Sequence, residues 1–307
     1  MAGEVEVIRN KTEVKRVLDC TTRREIGTGS FGSVRTCGPS AARFAVKTFR
    51  PDDRGKTDEA DAAAAHEARM NDRVARCLGK NTRNITLILP DDGPIKSTIV
   101  YRYPRGKNRY LVYGTCRQRR VVDLFDIALE RQLSRDNVLW LATEAARKIA
   151  ALHDCGMFHN DIKSENVLAC VRERDGDAYI RIIDFGLSTR EKKALHYPGG
   201  TFKRVTSEVK RLFEEVLGMT DVSRIKALQI SNGGKKYIAD SAARDRFACA
   251  VLACELVRGR VDKDHDFCEA LRVLLRDLLR GDLREVARSV TLDEKTARKL
   301  SRARERG

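Results

Sequence analysis

His159-Asn160-Asp161-Ile162-Lys163-Ser164-Glu165-Asn166 sets an Asp, a Lys two residues on and an Asn five residues on within one short stretch, and Asp184-Phe185-Gly186 follows it. These residue types suit the movement of a phosphoryl group. Asp161 can accept a hydroxyl proton and Lys163 can neutralise the transferring phosphate. Asn166 and Asp184 offer hard oxygen ligands of the kind Mg²⁺ takes.

A second set of residues lies upstream. Gly27-Thr28-Gly29-Ser30-Phe31-Gly32-Ser33-Val34 is a glycine-rich turn, in which backbone amides can approach a phosphate closely and Val34 can cap a flat base from above. Phe44-Ala45-Val46-Lys47 follows at a distance that fits one hairpin. A lysine on a rigid strand there reaches toward the same phosphates.

Taken in order, these stretches resemble the protein kinase family. Residues 159–166 look like its H-R-D-x-K-x-x-N catalytic loop, Asp184-Phe185-Gly186 like D-F-G, residues 27–34 like G-x-G-x-x-G-x-V, and residues 44–47 like V-A-I-K. The resemblance is close over about residues 20 to 260 and looser beyond. It implies an α+β fold of two lobes: a small β-rich, ATP-binding lobe over 1–114 and a larger, mainly helical lobe over 115–307. The implied cofactors are ATP and Mg²⁺. Gly27, Thr28, Gly29, Ser30, Phe31, Gly32, Val34, Ala45, Lys47 and Glu67 would serve ATP, Asn166 and Asp184 the metal, and Asp161, Lys163 and Asn166 the chemistry. Glu67 is the expected helix carboxylate that positions Lys47, with Glu59 as the other candidate. Tyr113 aligns with the gatekeeper, Gly114 and Cys116 with the hinge, and Asp123 with a ribose contact. Asp245, at the head of an apolar run to Gly259, aligns with the buried Asp that accepts hydrogen bonds from the catalytic-loop backbone.

Two departures stand out. Asn160 occupies the place of the Arg in H-R-D, and a neutral side chain cannot hold an activation-loop phosphate as that Arg does. The A-P-E motif is absent as written. Gly200 to Glu208 matches its spacing, with Arg288 as the partner of Glu208; a rival alignment uses Gly233 to Ala239. The compact, divergent build is similar to that of kinases encoded by large DNA viruses such as herpesviruses.

Periodicity supplies the elements that must carry these residues. Short strands are expected around 23–26, 33–37 and 43–49, and a helix over 61–78 with Glu67, Met70, Val74 and Leu78 on one face. Residues 97–103 and 109–113 read as a hairpin, as do 167–171 and 179–183, which would deliver Asp184 beside Asn166. Residues 135–153 read as a long amphipathic helix leading into the catalytic loop.

The chain of 307 residues carries a formal net charge of +16, with its cations scattered apart from short clusters at 117–120 and 302–304. No run is long and apolar enough to span a membrane, no signal-peptide pattern opens the chain, and no aromatic-rich basic platform suggests nucleic acid as the primary ligand. Nine cysteines without paired C-x-x-C spacing suggest reduced thiols and an intracellular protein of cytoplasm or nucleus. The expected activity is ATP-dependent phosphorylation of protein Ser/Thr hydroxyls, Lys163 marking the Ser/Thr class. A pseudokinase scaffold and a small-molecule kinase of the same fold remain the alternatives.

Overall fold

Alternating strands separated by short turns build an antiparallel sheet in the first part of the chain. The computed structural model describes residues 24–29, 32–37, 44–50, 58–78, 99–102, 109–114, 120–129, 135–171, 178–193, 229–232 and 235–257, with pieces at 214, 269 and 272–275. The chain divides into two units, Met1–Gln118 and Arg119–Gly307.

In the first unit, β1 (Arg24–Gly29), β2 (Gly32–Cys37), β3 (Phe44–Phe49), β4 (Ile99–Arg102) and β5 (Arg109–Gly114) form one sheet in the order β1-β2-β3-β5-β4. Gly29 pairs with Gly32 across the glycine turn, while Val34 stands opposite Lys47 and Thr36 opposite Ala45. Gly32 has φ +146°, and a Cβ there would stand 1.7 Å from the Thr48 carbonyl oxygen, so backbone from β3 fills the space that any other side chain would need. Helix α1 (Asp58–Leu78) begins earlier than its apolar period suggests, with Asp58, Glu59 and Asp61 in the first turn, where the helix dipole favours acids. Ala60, Ala64 and Ala68 repeat every four residues and pack with Phe49 of β3. Small side chains on that face bring α1 close to the strand that carries Lys47.

The second unit contains β6 (Arg120–Asp123), α2 (Leu124–Leu129), α3 (Arg135–Asp154), β7 (Val167–Val171), β8 (Ala178–Ile182), β9 (Gln229–Asn232), β10 (Lys235–Ile238) and α4 (Ser241–Val257). β6, β7 and β8 form one antiparallel sheet, and β9 pairs with β10 as a separate ribbon. Leu141, Ala145, Ile149 and Leu152 form a buried stripe at helical spacing on α3, which packs against α4 and β8. α4 is sealed through its middle, with Cys249 to Cys254 all buried, as expected of a helix that is apolar on every side. Truncating a fully buried leucine such as Leu152 or Leu252 removes transfer energy and leaves a cavity, about 2–5 kcal/mol in such positions.

Among the described residues no helix is long and apolar enough to cross a membrane. Cys249 and Cys254 are buried free thiols, and burial, with Asp245 nearby, pushes Cys249 up to about 12. Cys77 and Cys155 are each disulfide-bonded, which corrects the expectation of reduced thiols for these two. Cys77 lies exposed in the last turn of α1 and Cys155 in the turn after α3, where a sulfur can reach beyond its own helix.

Candidate active site

β3 fixes Lys47 by pairing on both sides, with Val34 of β2 and Leu111 of β5 opposite it. Its Nζ lies 2.8 Å from Oε2 of Glu67, and the two side chains are 9% and 1% exposed. The ammonium also stands 5.3 Å from the centre of the Phe49 ring, within cation–π range. Asn71, one turn along α1, donates to the Glu67 carbonyl at 2.9 Å. Glu59 is exposed at the start of the same helix. Of the other residues expected to serve ATP, Gly27, Thr28, Gly29, Gly32, Val34 and Ala45 lie on β1, β2 and β3. Ser30, Phe31 and Cys116 lie outside the described residues.

In the second unit α3 ends at Asp154 and the chain turns into the loop 157–163 before a short 3-10 turn, Ser164–Asn166. The loop is anchored from α4. Asp245, 1% exposed, accepts from the backbone amides of His159 and Asn160, both at 2.7 Å, as the family resemblance implied. His153 Nε2 adds a third contact to this carboxylate at 3.0 Å. His159 is fully buried and uses both ring nitrogens: its Nδ1 accepts from the Asp161 amide at 3.3 Å and its Nε2 meets the Ile183 carbonyl at 3.0 Å. The Nε2–H tautomer satisfies both bonds together.

Asn166 closes the loop. Its Nδ2 donates to the Asp161 backbone oxygen at 2.9 Å and to Asp161 Oδ2 at 3.2 Å, while Lys163 Nζ stands 3.6 Å from the same Oδ2. The Asn166 carbonyl accepts from the Ile183 amide at 3.0 Å, which sets Asp184 beside it at the end of the β7–β8 hairpin. With the amide hydrogens turned to Asp161, the Asn166 Oδ1 is the atom able to meet a cation. Asp184 and Asn160 are the two non-glycine residues with left-handed backbone among those described, at φ 64° and 65°. Asn and Asp are the residue types that adopt this region at least cost, and such backbone concentrates at functional sites. The donor set fits Mg²⁺, which binds to one or two side-chain oxygens together with phosphate oxygens. No group of three or more His, Cys, Asp or Glu among the described residues offers an all-protein cage.

Asp123 caps α2, its Oδ1 accepting from the Asp126 amide at 2.8 Å. Burial raises its carboxyl above the ordinary range, partly opposed by that hydrogen bond. Glu208 and Arg288 lie outside the described residues. Of the rival segment, residues 235–239 are described, and the two residues after it make contacts: Asp240 bridges to Lys193, the Ser241 amide donates to the Lys192 carbonyl at 2.8 Å, and Ser241 Oγ donates to the Glu191 carbonyl at 2.8 Å. The residues after β10 therefore run against those that follow Asp184-Phe185-Gly186.

The loop departs from expectation at Asn160. A cation does stand beside it: Arg244, 2% exposed, donates from Nη1 to Asn160 Oδ1 at 2.9 Å. Arg244 was not among the residues expected from sequence. Its one legible sign was a cation next to Asp245 at the head of an otherwise apolar run.

The protein kinase domain model matches residues 20–261. The chain belongs to the protein kinase family. CBL-interacting serine/threonine-protein kinase 17 of Arabidopsis thaliana is 29% identical to this kinase domain over 180 residues, 57% of this chain and 34% of the relative. The putative ribosomal protein S6 kinase alpha-1 of Caenorhabditis elegans is 26% identical over 179 residues, 57% of this chain and 20% of the relative. Serine/threonine-protein kinase ksp1 of Schizosaccharomyces pombe is 36% identical over 70 residues, 23% of this chain and 14% of the relative. The matched part thus spans about a third or less of each of these curated relatives.

Proposed function

We propose that this kinase domain is an active, ATP-dependent serine/threonine kinase whose substrates are protein hydroxyls. The observation that carries the reading is the catalytic loop itself, where Asn166 holds Asp161 by two hydrogen bonds and Lys163 stands 3.6 Å from its carboxylate. Asp161 orients the substrate hydroxyl and takes its proton as the oxygen bonds to the γ-phosphorus. The bond from that phosphorus to the β,γ-bridging oxygen breaks and ADP leaves. Lys163 offsets the charge on the group in transit, and Lys47, steadied by Glu67, holds the nucleotide phosphates. Mg²⁺, held by Asn166 and Asp184, would neutralise charge on the β- and γ-phosphate oxygens. Lys163 favours a Ser/Thr alcohol because an ammonium beside the acceptor suits a compact nucleophile.

The test is phosphoryl transfer from ATP with Mg²⁺ to a Ser/Thr peptide array, comparing the parent protein with Asp161→Asn. The variant keeps the shape and the Asn166 contacts but cannot take a proton. ATP affinity should stay within about twofold while turnover falls about a hundredfold or more. Near-parental turnover by Asp161→Asn would overturn the assignment.

A further inference from the structure

Arg244 is a buried guanidinium with an unusual set of acceptors. Nη1 donates to Asn160 Oδ1 at 2.9 Å, Nη2 to the Ile238 carbonyl at 2.7 Å, and Nε to the same carbonyl at 2.9 Å. A longer contact of 3.5 Å reaches the Ala239 carbonyl. The fork therefore joins the residue before Asp161 to the last residue of β10. Asn160 extends the connection: its Nδ2 donates to the Leu187 carbonyl at 3.2 Å, just after Asp184-Phe185-Gly186. Its amide is held by Asp245, the neighbour of Arg244. Arg244 and Asp161 also line one groove, with Lys163, Phe247 and Glu255.

We infer that Arg244 is a positioning residue that clamps the catalytic loop to the end of β10, and so holds Asp161 in its working place without a phosphate. This rests on the kinase reading for what Asp161 does, but not for the clamp. A planar guanidinium can meet a side-chain amide oxygen on one edge and a backbone carbonyl on another at once, whereas an ammonium is a point donor. Asn160 suits the arrangement. Its amide accepts from Arg244 and donates to Leu187 while its backbone occupies the left-handed region, a conformation that Asn adopts more readily than most residues. In the H-R-D pattern the loop itself carries the cation; here α4 supplies it, and its partners are fixed protein oxygens.

Three variants test this, with initial rates on dephosphorylated casein with Mg²⁺ and ATP, and with amide hydrogen exchange read separately over 158–163 and 249–254. Arg244→Lys keeps the charge but loses the fork, Arg244→Gln loses the charge, and Asn160→Ala leaves the guanidinium bonds to Ile238 in place. Each should speed exchange over 158–163 while 249–254 stays protected, and Arg244→Gln and Asn160→Ala should lower kcat about tenfold with KM for ATP within about twofold. Arg244→Lys should fall between the parent and Arg244→Gln. Combining Arg244→Gln with Asn160→Ala should cost no more than the greater single loss, because both break one connection. Parental kcat and parental loop exchange in folded Arg244→Lys would overturn the clamp, as would fully additive losses. If the Arg244 variants do not fold, Asn160→Ala decides by the same exchange measurement, and unaltered exchange over 158–163 overturns the proposal. A parent protein that transfers no phosphate, with loop exchange responding as described, would sink the kinase reading and leave the clamp standing.

Discussion

Lys47 and Glu67 meet at 2.8 Å with almost no exposure, so neither charge is solvated by bulk water. Removing one partner of such a pair leaves the other uncompensated, a cost of about 3–5 kcal/mol in comparable buried sites. Glu67→Gln keeps the volume and one acceptor oxygen but removes the charge opposite Lys47, so it should both lower stability and loosen the placing of Lys47. We expect Glu67→Gln to lower kcat/KM for ATP about tenfold and Lys47→Met to abolish transfer, with the double variant little worse than the single Lys47 change. Fully additive losses would detach Glu67 from Lys47 in function and bring Glu59 back into consideration. The pairing was legible in sequence because both partners sit on regular elements, a strand and a helix of clear period. Asn160 was legible only as an absence of charge. The cation beside it comes from a residue 84 positions away, and no local pattern announces a contact of that range.

At the scale of elements, hairpins and amphipathic helices were readable because their causes are local: alternation, turn residues and one apolar face. The helix over 135–154 and the hairpin of β7 with β8 stand close to where their patterns put them. β6 was missed, since four residues of mixed character become a strand only by pairing with β7. The ribbon of β9 and β10 was read as a possible activation-segment motif rather than as strands, although Gly233-Gly234 between two short runs is a hairpin signal. That ribbon now bears on regulation. Its end is tied to the catalytic loop through Arg244, and the residues just after it are tied to 191–193 by Asp240 and Ser241. Bonds between fixed protein groups need no added phosphate to form. Protein treated with phosphatase, which is then removed, should therefore retain nearly the initial rate of untreated protein. Loss of activity on dephosphorylation with recovery on rephosphorylation would show that another cation reads a phosphate in this segment.

Across the whole molecule, 60 Lys and Arg residues stand against 44 Asp and Glu, a formal net charge of +16. Composition of this kind says nothing of fold, yet it sets the field that a charged partner meets at a distance. The pairs most concerned with chemistry are buried or half-buried and feel salt weakly, whereas the exposed cations, such as Arg190, Lys192 and Lys193 beside the segment after Asp184, sit in water. The two populations should separate by ionic strength. For a Ser peptide rich in Asp and Glu, raising NaCl from about 50 to 300 mM shortens the screening length about 2.4-fold and should raise KM for the peptide markedly while kcat changes little. A Ser peptide flanked by Lys and Arg should start with the weaker KM and improve, or hold steady, over the same range. The measurement is a pair of peptide titrations at saturating ATP and Mg²⁺ at each salt concentration. Equal responses from both peptides would mean that the excess positive charge lies where substrate does not pass, and the field would then play no part in substrate choice.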